Sequence, residues 1–208
     1  MSSEKNYKEK AQENYEQQKA LLLSRGYVEK SEAIPIRKAN LLALYIFIIS
    51  TVIVLSICNL MWGGLSPLVS VRTIIVLIVF IISIPIHELL HAFILSRFCK
   101  ERFKSVSFGI IKGTITPYTT CKEPLPIAQY LIAVIFPVII LGIIPAIIGV
   151  SIRNIHVIWF ALLSICASSG DLIIGNKLMQ GDPKGLFLDH PTECGYYHFI
   201  KEEKKVVK

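Results

Sequence analysis

The sequence predicts an all-α membrane protein with about four transmembrane helices and a small cytoplasmic β-hairpin between the second and third helices. The first observation is composition: 53% of the 208 residues are hydrophobic, more than the roughly 45–50% of ordinary soluble domains. The second is that the apolar residues lie in long runs, which is typical of membrane helices. The third is that Lys and Arg concentrate in alternate connections between these runs.

The N-terminal segment, residues 1–40, is polar and highly charged, and residues 1–25 are predicted to form a charged helix. Two interpretations of this helix stay open: it lies along the membrane surface, or it is an ordinary solvated helix. The segment is too polar and too long before the first apolar run to be a signal peptide. We therefore expect that run to remain as a membrane anchor.

Four segments are long and apolar enough to cross a bilayer core of about 30 Å, which takes about 20 helical residues. These spans are 41–60, 71–95, 127–150 and 155–178. A polar motif interrupts the second span, and Ser168-Ser169-Gly170-Asp171 interrupts the fourth. A soluble protein would have to bury four fully apolar helices within one small domain, so the membrane interpretation is favoured.

The Lys and Arg residues predict the orientation of the spans. Residues 1–40 hold eight of the 22, the 96–126 connection holds six, and the tail from Lys177 onward holds six. Only Arg72 and Arg153 lie in the two other connections. Because cations favour the cytoplasmic side, we expect a multi-pass protein of the cell membrane with both termini cytoplasmic. The net charge of +7 then reflects topology, and no nucleic-acid partner is predicted.

This topology divides the chain into three predicted parts. Residues 1–40 form a cytoplasmic N-terminal charged helix, residues 41–178 a four-span membrane domain, and residues 179–208 a cytoplasmic tail. The predicted hairpin lies within 103–121, in the connection between the second and third spans.

The alternation of side chains is what predicts this hairpin. Val106, Phe108 and Ile110 alternate with smaller or polar residues, and the alternation resumes at Thr114-Ile115-Thr116 after a possible turn. Such a period of two on either side of a turn indicates paired β-strands.

The cysteines are odd in number and show no C-x-x-C spacing. They are Cys58, Cys99, Cys121, Cys166 and Cys194. This pattern predicts small core residues and free cytosolic thiols rather than a disulfide framework or a cysteine zinc site.

The second span carries His87-Glu88-Leu89-Leu90-His91, an H-E-x-x-H motif. On a helix its two imidazoles lie one turn apart on one face, so both can reach a single tetrahedral metal ion. Glu88 is rotated away from that position and is suited to act as a general base on water at the metal. Ionisable residues within an apolar helix are costly and are usually functional.

A catalytic zinc usually takes three protein ligands and leaves one position for water. Asp171 is the preferred third ligand because it matches the depth of His87. His87 lies 16 residues after Val71 and Asp171 lies 16 residues after Ile155, which is roughly 24 Å from the outer end of each span. The other candidates lie at the outer end of the fourth span or in the tail: His156, His190 and His198.

Two segments of the sequence resemble a known protein family. The segments His87 to Ala92 and Ala167 to Leu172 look like the putative zincin peptidase family of bacterial membrane proteins. Asp189 and the stretch from Pro191 to Tyr197 are similar to the tail of that family. More broadly, the arrangement resembles the site-2 protease class of intramembrane metalloproteases, and the resemblance covers roughly residues 70–200.

The resemblance implies a Zn²⁺ ion held by His87, His91 and Asp171, with Glu88 as the base. It implies hydrolysis of peptide bonds in membrane or membrane-proximal substrates, so the expected partners are a membrane protein or peptide and the lipid bilayer. Two alternatives stay open. One is a membrane-bound zinc-binding factor or a non-peptidase zinc hydrolase, and the other is a transporter whose polar cluster lines a cation path.

Overall fold

The computed structural model describes residues 2–33, 36–62, 71–110, 117–190 and 195–201. Within these ranges the chain forms seven α-helices: α1 Ser2–Ser24, α2 Ile36–Trp62, α3 Val71–Phe98, α4 Ile127–Pro137, α5 Ile144–Ser151, α6 Ile155–Ala167 and α7 Ser169–Met179. It also forms six strands: β1 Tyr27–Ala33, β2 Val106–Ile110, β3 Pro117–Cys121, β4 Leu125–Pro126, β5 Leu186–Asp189 and β6 Gly195–Lys201.

The chain divides into two compact units. One comprises Pro35–His91 and Val134–Gly175, and the other comprises Met1–Ile34, Ala92–Ala133 and Asn176–Lys208. The first unit contains most of the apolar helical sequence, and the second contains all six strands.

Two helical segments are long and apolar enough to cross a membrane, namely α3 and the continuous stretch Ile127–Ser151. A third span is obtained if α6 and α7, which meet at a bend of 54°, count as one. These segments coincide with the second, third and fourth predicted spans. Within the described part of α2, the apolar stretch Leu44–Ile57 is shorter than the others. The described residues therefore contain two or three candidate spans, and a fourth stays a prediction.

The third predicted span is not a regular helix. A π-helical segment, Val138–Ile143, separates α4 from α5 and follows directly on Pro137, whose missing N–H disturbs the helical hydrogen bonds. Gly142 lies on this segment. A Cβ added there would lie 2.7 Å from Cγ1 of Ile165 on α6, so the glycine permits a close helix contact.

The second unit contains a four-stranded antiparallel sheet in the order β1-β6-β5-β4. Helix α1 packs on this sheet through Tyr15 and Leu22, which form a buried cluster with Leu188 and Phe199. Tyr15 also donates a hydrogen bond of 2.7 Å to the carboxylate of Glu29 on β1. The N-terminal helix predicted at residues 1–25 is confirmed, and its partner is a sheet.

The four-stranded sheet corrects the all-α prediction. Strand β1 pairs with β6 from Tyr27↔Lys201 to Ala33↔Gly195, so each end of the chain supplies the partner of the other. Neither strand alternates apolar and polar residues cleanly in sequence. Pairing between such distant segments leaves no local pattern to detect, because the hydrogen bonds are formed by backbone groups alone.

The predicted β-hairpin is confirmed. Strands β2 and β3 pair antiparallel, from Val106↔Cys121 to Ile110↔Pro117. The alternation expected at Thr114-Ile115-Thr116 lies outside the described residues.

The carboxylate of Glu123, which follows the hairpin in sequence, binds the backbone just after the end of α3. Glu123 accepts hydrogen bonds from the backbone N–H groups of Lys100 at 3.0 Å and Glu101 at 3.2 Å. The hydroxyl of Ser105 donates a further bond to the same carboxylate. Partial burial by itself would raise the pKa of Glu123, but these donors outweigh it and hold the pKa below the ordinary value of 4.5.

We expect the substitution Glu123→Gln to lower the stability of the protein by about 1 kcal/mol at neutral pH, because the charge-assisted hydrogen bonds are weakened. The corresponding loss in Tm is about 2–4 °C. The pKa of Glu123 is depressed on folding, so its contribution is complete above the unfolded pKa and is lost as pH falls through the folded pKa.

Thermal unfolding of the purified protein and of the Glu123→Gln variant across acidic to neutral pH measures this effect. Glu101→Gln is the matched control, because it removes the same charge from an exposed side chain and keeps its backbone donor. A Tm difference that stays constant through the acidic range would contradict the assigned role of the carboxylate.

Candidate metal centre

Helix α3 presents the two imidazoles of the motif. His87 and His91 are one helical turn apart, their ring centroids are separated by 4.8 Å and the rings are nearly perpendicular. The Nε2 atoms of the two rings lie 3.1 Å apart. Pro85 lies inside the helix, two residues before His87, where it removes one backbone hydrogen-bond donor.

Asp171 reaches the same point from another helix. Helix α6 ends at Ala167 and α7 begins at Ser169, so the bend places Asp171 in the first turn of a new helix. The N-terminus of a helix favours a negative charge. Ser168 at the joint is fully buried, and its hydroxyl and its N–H both donate to the carbonyl oxygen of Ser164, at 2.8 Å and 3.0 Å.

The break at Ser168 is a feature that sequence reasoning did not identify. The sequence predicts one span across 155–178 that Ser168-Ser169-Gly170-Asp171 interrupts, without a bend into a second helix. The available signal was this run of small and hydroxyl-bearing residues, because serine side chains compete for backbone carbonyls and weaken a helix.

The three side chains form a compact cluster within one unit. Nε2 of His87 lies 2.9 Å from Oδ2 of Asp171, and Nε2 of His91 lies 3.4 Å from Oδ1 of the same carboxylate. Over the described residues, His87, His91 and Asp171 are the group that could hold a metal ion. His156, His190 and His198 are not members of this group.

The donor set fits zinc. A tetrahedral zinc ion with bonds of about 2.05 Å holds its ligand atoms about 3.3 Å apart. The two Nε2 atoms are 3.1 Å apart, and each lies within 3.4 Å of one of the two oxygens of Asp171. With one ligand atom from each residue, the three atoms lie within 4.8 Å of one another. Two imidazoles and one carboxylate also make up the set of protein ligands found at many catalytic zinc ions, which leaves one position for water.

The cluster is largely shielded from solvent. The exposed fractions of the side chains are 14% for His87, 11% for His91 and 19% for Asp171. Ionisable groups among apolar helices are costly unless they are paired or bind an ion. The close contact of these three groups is therefore the arrangement expected of a metal site.

Glu88 lies on α3 directly after His87 and is half-buried. At about 100° of rotation per residue, its direction from the helix axis is about 100° from that of His87 and about 60° from that of His91. Glu88 therefore flanks the ligand face of the helix rather than sharing it. A carboxylate in this position is suited to proton transfer beside a metal ion.

We expect the purified protein to contain about one zinc ion per chain. The substitutions His87→Ala, His91→Ala and Asp171→Asn should each weaken zinc affinity by at least tenfold, because each removes one of three ligands. Elemental analysis gives the stoichiometry, and titration with a competing chelator gives the affinity. His156→Ala is the control, and a loss of zinc in this variant equal to that in His91→Ala would contradict the ligand assignment.

Comparison with protein families gives an independent result. A family model described as a putative zincin peptidase matches residues 80–186, which is more than half of the chain. The match includes the H-E-x-x-H motif and Asp171, and it excludes α1 and α2. No curated protein and no solved structure matches the chain. The resemblance that its motifs indicate is therefore confirmed at the level of the family, and the chain belongs to the putative zincin peptidases.

Proposed function

We propose that this protein is an intramembrane zinc metallopeptidase of the site-2 protease kind, which hydrolyses peptide bonds in membrane or membrane-proximal substrates. The observation that carries the proposal is the cluster of His87, His91 and Asp171, with Nε2 of His87 2.9 Å from Oδ2 of Asp171. It is supported by Glu88 on the flank of the same helix and by membership of a zincin peptidase family.

Each residue of the site has a separate role in the proposed reaction. His87, His91 and Asp171 would hold the zinc ion and fix its position. When bound, zinc polarises a carbonyl oxygen and lowers the pKa of a water molecule to about 7. The carboxylate of Glu88 accepts a proton from the attacking water and later delivers it to the amine nitrogen of the leaving peptide. The apolar helices exclude bulk water, which strengthens the electrostatic interactions of these groups.

The charge distribution supports a location for the reaction. We propose a multi-pass protein of the cell membrane with four spans and both termini in the cytoplasm, where 1–40 and 179–208 lie. In this topology His87 and Asp171 are in the cytoplasmic half of the membrane. Water then enters from the cytoplasmic side, and the predicted substrates are membrane proteins or peptides whose cleavage sites reach that depth.

A peptide must be extended before it is cleaved, because the carbonyl groups of a helix are occupied in hydrogen bonds. We propose that strand β2 holds it by strand addition. The N–H of Lys122 donates to the carbonyl of Ser105 at 2.8 Å, so these two residues form a hydrogen-bonded pair. Hydrogen-bonded and non-hydrogen-bonded pairs alternate along two antiparallel strands. Because of this alternation, the backbone N–H and C=O groups of Val106, Phe108 and Ile110 point away from β3. The side chains of Phe108 and Ile110 are 51% and 68% exposed.

Glu88→Gln tests the reaction. We expect this substitution to lower the rate of peptide cleavage by about 10²–10⁴-fold, because the amide cannot accept the proton, while zinc remains bound at the level of the native protein. Membrane proteomes of cells that carry the native chain, the Glu88→Gln variant or a Glu101→Gln control supply the measurement. An uncleaved membrane protein should accumulate only in the Glu88→Gln cells.

Two outcomes of this comparison would count against proteolysis. One is a membrane proteome that is identical in all three strains. The other is a cellular phenotype that Glu88→Gln restores as well as the native protein does, which would indicate a metal-binding role without turnover.

Proline substitution tests the strand addition. Phe108→Pro removes an N–H that faces the outer edge of β2, and we expect cleavage of the identified substrate to fall about tenfold or more because a strand hydrogen bond is lost. Thr119→Pro is the matched control, because Thr119 pairs with Phe108 but faces the opposite edge of the hairpin. Equal rates for the two variants and the native protein would exclude β2 as the substrate strand.

A further inference from the structure

Two cysteine side chains meet where helix α3 ends. Cys99 directly follows α3, and its N–H donates to the carbonyl of Leu95 at 3.0 Å. Cys121 is the last residue of β3. Their Sγ atoms are 2.8 Å apart, although the residues are 22 positions apart in sequence. Both residues are free thiols and both are buried, with exposed fractions of 5% and 2%.

The geometry of this pair allows a covalent bond. A disulfide bond has a length of about 2.05 Å, so the two sulfur atoms need to approach by only about 0.8 Å. Cys99 closes the last turn of a long helix, and Cys121 is fixed on the opposite side by the hydrogen bond of its N–H to Oδ2 of Asp189 at 2.5 Å. The backbone therefore holds the two thiols in contact before any oxidation takes place.

A cavity adjoins one of the two cysteines. Cys121 lines a cavity of about 250 Å³. The other walls come from α1, the hairpin and the end of β5, and they include Lys10, Asn14, Asp189 and His190. A space of this size accommodates water and small polar oxidants, and we take it as the route by which an oxidant would reach Cys121.

The thiols are stable in their reduced form at rest. The neighbouring Cys99 thiol and burial raise the pKa of Cys121 far above its ordinary value, so thiolate is scarce at neutral pH and the pair is oxidised only when peroxide is abundant. The charge distribution predicts that this segment is cytoplasmic, where disulfides are rare and where those that form are usually transient and redox-sensing.

We propose that Cys99 and Cys121 are a redox-responsive pair, which a hydroperoxide converts to a disulfide that staples the end of α3 to β3. Deprotonated Cys121 attacks a peroxide oxygen and breaks the O–O bond, which gives a sulfenic acid at Cys121 and water or an alcohol. The sulfur of Cys99 then loses its proton and attacks the sulfur of Cys121, and hydroxide leaves as water. Two thiols are oxidised, one peroxide is reduced, and a thiol reductant reverses the bond.

The Cys99–Cys121 disulfide would act on the helix that carries His87 and His91. Cys99 is eight residues beyond His91 on the same run of chain, so a covalent bond at this point restrains the end of α3. Closing a loop of this length removes conformational freedom mainly from the unfolded chain. The proposal stands independently of peptidase activity, because its primary measurement is the state of the two thiols.

Treatment of the purified full-length protein with hydrogen peroxide is the direct test. Mass spectrometry of proteolytic fragments should show a cross-link between the peptides of Cys99 and Cys121, with the loss of two hydrogen atoms. The reductant tris(2-carboxyethyl)phosphine should restore both thiols. The Tm of the oxidised protein should rise on the order of 5–10 °C.

Single substitutions test whether the cross-link and the rise in Tm depend on this pair of cysteines alone. Cys99→Ala and Cys121→Ala should each abolish the cross-link and the rise in Tm. Cys166→Ala is the matched control, because Cys166 lies on α6 and forms no disulfide, and this variant should behave like the native protein. Two results would overturn the proposal: peroxide leaves Cys99 and Cys121 as free thiols, or it oxidises Cys121 to a sulfinic acid without a cross-link.

Discussion

Histidine and aspartate side chains are expensive to place among apolar helices, because the interior of a membrane offers no water to solvate them. In this protein His87, His91 and Asp171 offset that cost by contact with one another, with donor atoms 2.9–3.4 Å apart. Other local features follow from this requirement. The bend between α6 and α7 puts Asp171 in the first turn of a helix, and Gly142 lets the third helical segment approach α6 closely.

Two irregularities of the helices lie close in sequence to the members of this cluster. Pro85 lies two residues before His87, and Ser168 forms the joint three residues before Asp171. Pro85 has no backbone N–H to donate. At Ser168 the side-chain hydroxyl shares the carbonyl oxygen of Ser164 with the backbone N–H, an interaction that weakens a helix. Such interruptions are tolerated in apolar helices when nearby groups satisfy the freed backbone atoms or when the region lines a cavity.

In the unit that contains the four-stranded sheet, segments without a clear side-chain pattern form regular structure. The two ends of the chain, which are highly charged, form a sheet that is covered by α1 through Tyr15 and Leu22. Glu123 and the Cys99–Cys121 contact both act at the point where α3 ends. The end of the metal-binding helix is thus fixed by polar and sulfur contacts rather than by apolar packing alone.

The sequence by itself determined the apolar helices, the hairpin and the histidines at one helical turn, because each depends on a local period of side chains. It also pointed to Asp171, because the predicted topology gives the second and fourth spans the same direction and so places equal offsets at equal depth. Only the tertiary structure decided the β1–β6 pairing, the break at Ser168 and the contact of Cys99 with Cys121. These features join residues that are far apart in the chain or depend on backbone hydrogen bonds, which have no side-chain period.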